Sequence, residues 1–256
     1  MIGQVLSARR RRCRARPRPA CVALALALTA VGCGSGTATR DLPPFVTAPD
    51  AASMPDLVVA RLQVRQYIES GRYAADMATV AAQARDHLER RARAGGRLAI
   101  VLDIDETSLS NLPALEANQY SRILGGPCDD LPRGPCGMVR WIGLAQGEPI
   151  RPVRELAARA RRLGVAVFLV SGRAESMRAA TARNLREAGY EWTGLVLQPD
   201  DQPRMPSAAD FKAPERQRIV DQGYAIVANV GDQVSDLAGG YAERAYKLPN
   251  PMYVIP

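Results

Sequence analysis

Short apolar runs alternate with amphipathic stretches from residue 56 to the end of the chain. Apolar runs rich in β-branched residues are typical of strands buried on both faces. We predict such strands at 100–102, 165–170, 195–197 and 225–230. Apolar residues spaced three and four apart predict helices, at 56–94 with a break at Ser70-Gly71, at 153–162, at 175–188 and at 208–222. Strands that alternate with helices form βαβ units, so the predicted fold is an α/β parallel sheet flanked by helices, with an N-terminal helical segment.

Residues from about 108 to 152 interrupt this alternation. The stretch has scattered glycines and prolines and no clean period, and it is too long for an ordinary loop. We interpret it as an insertion that forms a small lid or a substrate-facing subdomain.

Polar residues follow the ends of the predicted strands. Asp103 and Asp105 come directly after the first strand, and in an extended chain residues two apart point to the same side. Ligands of open α/β sheets bind at this carboxyl edge, and adjacent carboxylates need a cation or a shared proton. The alternative is a helix start with Asp105 as its N-cap.

Two other strand ends carry candidate ligand groups. Ser171-Gly172 supplies a hydroxyl and backbone N–H groups, and at the start of a helix these form a site for a phosphate-sized anion; a plain N-cap serine is the alternative. Asp232 and Asp236 are four residues apart, so both can point from one side of a helical turn toward one ion. Together with Asp103 they offer oxygen ligands that suit Mg²⁺. The alternative is a turn followed by a solvated helix residue.

The cysteines and the single histidine bear on the compartment and on metal chemistry. Cys128 and Cys136 lie in the insertion, and in an oxidising compartment they are a candidate disulfide. A metal site is the rival, but two thiols and the distant His87 are too few ligands. His87 falls on a predicted helix, so we expect it to be a surface or packing residue.

The first 33 residues have the pattern of an export signal. Seven arginines precede an apolar run at 21–31, which is too short for a bilayer that needs roughly 20 apolar residues. Small residues lead into Cys33, and this resembles the lipobox of bacterial lipoproteins, although Ala30 stands where leucine is usual. The resemblance implies a lipid on Cys33 and a protein of the cell envelope, anchored at the outer membrane or cell surface. Cleavage to a secreted soluble protein is the alternative.

The charge balance changes once this signal is set aside. The chain has 34 basic and 26 acidic residues, and seven of the basic ones lie in the signal, so 27 basic and 26 acidic residues follow it. The basic excess therefore gives no reason to expect a nucleic-acid partner. Residues 34–55 lack periodicity and predict a flexible tether, and 56–256 has the size of one domain.

The motifs together resemble the haloacid dehalogenase-like (HAD) superfamily. Its four motifs occur in order as Asp103-Ile-Asp-Glu-Thr107, Phe168-Leu-Val-Ser-Gly-Arg173, Lys212 and Gly231-Asp-Gln-Val-Ser-Asp236. This variant is similar to subfamily IIIB, which includes plant acid phosphatases, vegetative storage proteins and bacterial class C acid phosphatases. The likeness runs from about residue 56 to the end and includes 67–73 and 247–253.

The resemblance implies a HAD-like (Rossmannoid) phosphatase that works through an aspartyl-phosphate. Asp103 would be the nucleophile, and Asp105 would protonate the leaving alkoxide and then activate water. Mg²⁺ would be bound by the carboxylate of Asp103, the backbone carbonyl of Asp105 and the carboxylate of Asp232. Asp236 would assist directly or through water.

The resemblance also implies phosphate-binding groups and a substrate class. Ser171 and Gly172 would hold the phosphoryl oxygens, and Lys212 would place a positive charge near the nucleophile; a surface lysine is the alternative. The expected substrate is a small phosphate monoester, with nucleoside monophosphates as one candidate class. Tyr120 and Trp141 are either contacts to a substrate base or core aromatics.

Two other functions stay open beside hydrolysis. One is a catalytically weak binding or storage protein on the same scaffold, and the other is transfer of the phosphoryl group to an alcohol. All four aspartates of the motifs are present in this chain, and this favours hydrolysis.

Overall fold

The computed structural model of the protein describes residues 56–201 and 207–256. The predicted signal at 1–33, the lipid site at Cys33 and the tether at 34–55 lie outside the described residues. Among the helices that are described, none is both long and apolar enough to cross a membrane.

The described elements follow one another in the alternating order that the sequence predicts. In chain order they are α1 (Leu57–Glu69), α2 (Arg72–Arg93), β1 (Leu98–Leu102), β2 (Leu109–Ser110), α3 (Leu112–Ala117), α4 (Met138–Leu144), β3 (Glu148–Pro149), α5 (Arg151–Arg162), β4 (Ala166–Ala174), a 3₁₀ turn (Glu175–Met177), α6 (Arg178–Glu187), β5 (Gly194–Gln198), α7 (Ala208–Asp221), β6 (Ala225–Gly231), α8 (Val234–Leu237) and β7 (Ala245–Lys247).

The predicted break between the first two helices is confirmed. The Asp56 carboxylate accepts a hydrogen bond of 2.8 Å from the backbone N–H of Val58, which caps α1. Gly71 has a φ of 77°, a left-handed conformation that glycine adopts without a steric penalty. The chain therefore turns there and starts α2.

Five parallel strands form the central sheet in the order β5-β4-β1-β6-β7, which confirms the predicted α/β class. β1 lies in the middle, so its carboxyl end is flanked by those of β4 and β6. The sequence argument missed β7, because this three-residue strand buries only Tyr246 and shows no apolar run.

Side chains of β1 alternate between two cores, one on each face of the sheet. Ile100 and Leu102 pack on the face that also holds apolar side chains of α2, α5 and α6. Ala99 and Val101 pack on the opposite face against Phe211 of α7. Because both faces are covered, the strand is apolar throughout and its polar residues appear only past its end.

The insertion has a small core of its own. It contains α3, α4 and an antiparallel ribbon of β2 and β3. A disulfide joins Cys128 and Cys136, and this bridge packs with Ala114, Met138 and Trp141. The stretch shows no single period because its order comes from short elements around a covalent link.

Candidate active site

A cavity of about 420 Å³ lies at the carboxyl edge of the sheet, where β1, β4 and β6 end. It is the point that the alternating pattern predicts for a ligand site. Every candidate catalytic, phosphate-binding or metal-binding residue of the sequence lines it: Asp103, Asp105, Ser171, Gly172, Lys212, Asp232 and Asp236.

A tight turn that carries Asp103 and Asp105 follows β1. The backbone N–H of Asp103 donates to the carbonyl of Val230 in β6 at 3.0 Å, and Ser108 Oγ donates to the carbonyl of Asp103 at 2.6 Å. The next helix, α3, begins only at Leu112 with Asn111 as its N-cap. The alternative of Asp105 as a helix N-cap is therefore wrong.

Asp103, Lys212 and Asp236 form a buried charge cluster. Lys212 Nζ donates to Asp103 Oδ1 and to Asp236 Oδ1, the latter at 2.6 Å. Burial lowers the pKa of Lys212, but the two carboxylates raise it by more than burial lowers it, so the amine stays charged. Lys212 is only 4% exposed, and the surface-lysine alternative is wrong.

Three carboxylates of the cavity could hold one metal ion. Asp103, Asp232 and Asp236 each offer an oxygen, and these atoms lie within 4.8 Å of one another. Burial and the charge of Asp236 raise the pKa of Asp232 to about 6, and burial raises that of Asp103 well above its usual range. One lysine does not balance three buried carboxylates. The oxygen ligands and the uncompensated charge fit a hard cation such as Mg²⁺.

Short polar contacts fix the metal-binding candidates in place. Asp232 accepts hydrogen bonds from Thr107 Oγ1 at 3.1 Å and from Asn250 Nδ2 at 2.7 Å. Asp236 accepts one from the backbone N–H of Gln233 at 2.8 Å and so caps α8. Asp232 precedes this helix, so the two aspartates approach each other across the N-cap of α8. Their spacing in the sequence predicted instead that they lie on one helical turn.

Asp105 is held by two donors of different kinds. Arg173 Nη2 donates to Asp105 Oδ1 at 2.8 Å and Arg173 Nε to Oδ2 at 3.2 Å, while Asn111 Nδ2 donates to Oδ1 at 2.7 Å. Burial raises the pKa of Asp105, but the charge and hydrogen bonds of Arg173 lower it more, and the net pKa is lowered. Asp105 is therefore held in its ionised form.

The expectation that a helix opens at Ser171-Gly172 is wrong. Strand β4 continues to Ala174, and the 3₁₀ turn begins at Glu175. Pairing of β4 with β5 shifts register between Ser171 and Ala174, so the chain bulges where it lines the cavity. The polar groups of Ser171 and Gly172 reach the cavity from a bulged strand end.

The insertion and the chain end supply the outer wall of the cavity. Apolar side chains of Leu124, Met138, Val139 and Ile142 line it, beside Arg122 and Tyr253. Tyr120 and Trp141 do not belong to this lining, and both are less than 10% exposed, so they are core aromatics. His87 also lies away from the cavity, near Glu243.

Several site residues were missed by sequence reasoning. Buried Glu106 accepts hydrogen bonds from Tyr253 Oη and from the backbone N–H of Asn111, and Arg173 pairs with Asp105. Glu106, Arg173 and Tyr253 stand within or beside the motifs, which is a signal of their importance. The pairing of Arg173 with Asp105 and of Tyr253 with Glu106 could not be inferred, because each joins segments that are far apart in sequence.

Comparison with known proteins shows the family. The family model "HAD superfamily, subfamily IIIB (Acid phosphatase)" matches residues 48–256. The chain is 36% identical to "Acid phosphatase 1" of Solanum lycopersicum over 62% of this chain and 60% of that protein. It is 31% identical to the "Stem 28 kDa glycoprotein" of Glycine max over 75% of this chain and 73% of that protein.

A solved structure agrees on the fold. The class C acid phosphatase from Bacillus anthracis superposes with a TM-score of 0.59 at 23% identity, over 77% of this chain and 84% of that one. The motifs, the cavity at the end of the parallel sheet and the family match lead to one conclusion. This chain belongs to the HAD superfamily, subfamily IIIB, the acid phosphatases.

Proposed function

We propose that this protein is a Mg²⁺-dependent acid phosphatase that hydrolyses small phosphate monoesters through an aspartyl-phosphate. The observation that carries the proposal is the buried cluster around Asp103, in which one lysine and two further carboxylates surround a single nucleophile. A plain structural role would not require four buried charges at the edge of a cavity.

In the first step, a carboxylate oxygen of Asp103 attacks phosphorus, and the bond from phosphorus to the ester oxygen breaks. Asp105 gives a proton to the departing alkoxide. In the second step, water gives its proton to Asp105 and attacks the aspartyl-phosphate, which releases phosphate and restores Asp103. Lys212 neutralises charge beside the nucleophile in both steps.

The phosphoryl group itself helps Asp105 to change protonation state. In this structure Arg173 pairs with Asp105 and lowers its pKa. A phosphate dianion that enters beside Ser171 and Gly172 competes for the same guanidinium. As Arg173 turns toward phosphate, Asp105 loses its countercharge, its pKa rises, and it takes up from water the proton that it then gives to the leaving group.

The carboxylates of Asp103, Asp232 and Asp236 would hold a divalent cation, and the backbone carbonyl of Asp105 would add a further oxygen ligand. When bound, it would reduce the repulsion between an anionic nucleophile and an anionic phosphate. Thr107 and Asn250 hold Asp232 toward this position. These contacts support the proposal, because they hold a candidate ligand in place without a cation.

The outer wall points to a leaving group with an apolar part. Leu124 and Val139 are 41% and 53% exposed, and they face the cavity together with Met138 and Ile142. Burial of such side chains by an organic group contributes roughly 25 cal/mol per Å². Since Tyr120 and Trp141 lie in the core, they offer no support for a nucleoside substrate, and a panel of nucleotides and aryl phosphates tests this point.

Export and lipidation complete the proposal. The signal-like residues 1–33 and Cys33 resemble a lipoprotein leader, and the disulfide suits an oxidising compartment outside the cytoplasm. Expression of the full chain and of Cys33→Ala, followed by separation of membrane and soluble fractions, tests this. We expect the wild type in the membrane fraction and Cys33→Ala in the soluble one.

Release of p-nitrophenol from p-nitrophenyl phosphate tests the central activity. We expect turnover with Mg²⁺, none after removal of the metal, and none for Asp103→Asn. An inactive wild type that is folded and metal-loaded would favour a binding or storage protein. Added glycerol distinguishes hydrolysis from transfer, since transfer makes the released alcohol exceed the released phosphate.

A further inference from the structure

We propose that Asn111 is a positioning residue for Asp105 and that it ties this acid–base group to the core of the insertion. The inference rests on the proposed function, because it assigns Asp105 the proton transfers of a phosphatase. Asn111 is fully buried and lies at the N-cap of α3, yet its side chain makes no capping hydrogen bond. Its amide is used elsewhere.

The contacts of Asn111 converge on Asp105. Its Nδ2 donates to Asp105 Oδ1 at 2.7 Å and to Glu106 Oε2 at 3.2 Å. Its Oδ1 accepts a hydrogen bond of 2.8 Å from Trp141 Nε1. Its backbone N–H donates to Glu106 Oε1 at 2.7 Å. The side-chain NH₂ group, the side-chain oxygen and the backbone N–H of Asn111 therefore all have hydrogen-bond partners.

The partners fix the orientation of the amide. An indole N–H can only donate, so the oxygen of Asn111 must face Trp141. The NH₂ group then has to face the carboxylates. Reversal of the amide would bring its oxygen against Asp105 and leave the indole N–H without an acceptor, at a cost of about 1–3 kcal/mol for a buried donor. Trp141 thus determines which group Asp105 meets.

Asn111 differs in kind from Arg173, the other donor to Asp105. Arg173 is a cation that an entering phosphate can attract, so its contact with Asp105 is expected to change during the reaction. Asn111 is neutral and locked by Trp141 and Glu106, so its contact persists. When Arg173 turns to phosphate, Asn111 is the remaining group that keeps Asp105 directed at the leaving oxygen.

The anchor for this arrangement lies in the insertion. Trp141 is 3% exposed and packs with Met138 and with the disulfide of Cys128 and Cys136. The indole therefore has little freedom to move, and it transmits the rigidity of that core to Asn111. Only the indole N–H, and not the packed ring, makes the link to the active site.

Two variants separate positioning from folding. Asn111→Ala removes the whole contact. Trp141→Phe retains an aromatic ring in the core and removes only the indole N–H. Asn118→Ala is the matched control, because Asn118 is another buried asparagine of the insertion whose side chain bonds only to the backbone of Cys136.

The readout is kcat/KM for two aryl phosphates, which reports the step that releases the alcohol. The p-nitrophenolate ion leaves without a proton, whereas phenolate benefits from protonation by Asp105. We expect Asn111→Ala and Trp141→Phe to lower kcat/KM for phenyl phosphate by about 10- to 100-fold, the usual effect of removing a supporting partner. Values for p-nitrophenyl phosphate should change much less, and Asn118→Ala should affect both substrates equally.

Equal losses on both substrates in the two test variants would overturn the inference. A further loss when Asn111→Ala is combined with Asp105→Asn would also contradict it, since a residue that acts through Asp105 has nothing left to position. A wild type that hydrolyses neither substrate would instead reject the proposed function. In that case crystal structures of the wild type and Trp141→Phe still decide the placement, because an unchanged Asp105 side chain in the variant refutes it.

Discussion

At the scale of single residues, Asp103 and Asp105 carry the same functional group in opposite electrostatic surroundings. Burial and neighbouring carboxylates raise the pKa of Asp103 despite Lys212. The pKa of Asp105 is lowered, because Arg173 outweighs the effect of burial. The pKa values of two carboxyl groups separated by a single residue are thus shifted in opposite directions, and tertiary contacts make the difference.

Replacement of Asp103 and replacement of Asp105 should lower the turnover rate to different extents. Asp103→Asn removes the nucleophile, so we expect no measurable turnover of p-nitrophenyl phosphate. Asp105→Asn removes proton transfer alone, which typically contributes about 10²- to 10⁴-fold, so a residual rate should persist. Steady-state kcat at saturating Mg²⁺ measures both. Equal residual rates in the two variants would argue against distinct roles.

Glu106 should make the stability of the metal-free protein depend on pH. Burial, followed by the charge of Asp105, raises its pKa from an ordinary 4.5 to about 8. The folded state then binds more protons than the unfolded state between these values, so the free energy of unfolding falls as the pH rises from about 4.5 to about 8. Glu106→Gln removes this contribution and should make the fall shallower.

Urea unfolding at pH 5 and pH 8 in the presence of a chelator measures this dependence. Burial of Asp232 contributes a fall of the same sign, so the difference between wild type and Glu106→Gln isolates Glu106. Glu155→Gln, on the exposed side of α5, alters the charge equally and should leave the slope unchanged. Identical slopes in wild type and Glu106→Gln would contradict the raised pKa.

Among the structural elements, the strand ends carry the charged residues of the site and the insertion forms its outer wall. β1 is apolar through its length and β6 is apolar except for buried Asn229, and charged residues follow both strands at the same edge of the sheet. The insertion supplies the outer wall and, through Trp141, a fixed point behind the site. Its core is small, so a covalent link carries a large share of its order.

Removal of the disulfide should therefore destabilise the protein measurably. The bridge closes a loop with a sequence separation of 8, and the chain-entropy relation gives about 2.5 kcal/mol for a loop of this size. We expect the double variant Cys128→Ser, Cys136→Ser to lose that much free energy of unfolding in urea. A reductant should reproduce the loss in wild type and have no effect on the variant; a wild type insensitive to reductant would show that the link contributes nothing.

At the scale of the whole molecule, one metal ion would join segments far apart in sequence. Asp103 follows β1, whereas Asp232 and Asp236 follow β6, the strand that pairs with β1. A ligand that binds only the folded state stabilises it in proportion to the logarithm of its concentration. Metal binding and folding are thus linked.

Mg²⁺ should raise the midpoint of thermal unfolding. At a concentration of about 100 times Kd the expected gain is about 2.7 kcal/mol. Asp232→Asn should abolish the gain, whereas Asp200→Asn should keep it, because Asp200 lines the cavity but bonds to Ser176 outside the carboxylate cluster. Scans in chelator and in Mg²⁺ measure the shift, and an unchanged wild-type midpoint would exclude a site of useful affinity.

Local patterns and motifs of the sequence predicted the parallel sheet, the order of its main elements and seven of the residues that line the cavity. Apolar runs and helical spacing are local features, and charged residues directly follow two of the buried strands, so these features can be read along the chain. This holds for Asp103 after β1 and for Asp232 after β6.

The partners of those residues depend on tertiary packing. Arg173 pairs with Asp105 across 68 positions and Tyr253 with Glu106 across 147, and no periodicity encodes such pairs. Register and turn geometry also placed the bulge at Ser171 and the cap at Asp236, where local propensity suggested helices. Electrostatic roles depend on burial and on partners, and a chain acquires both only when its distant segments pack together.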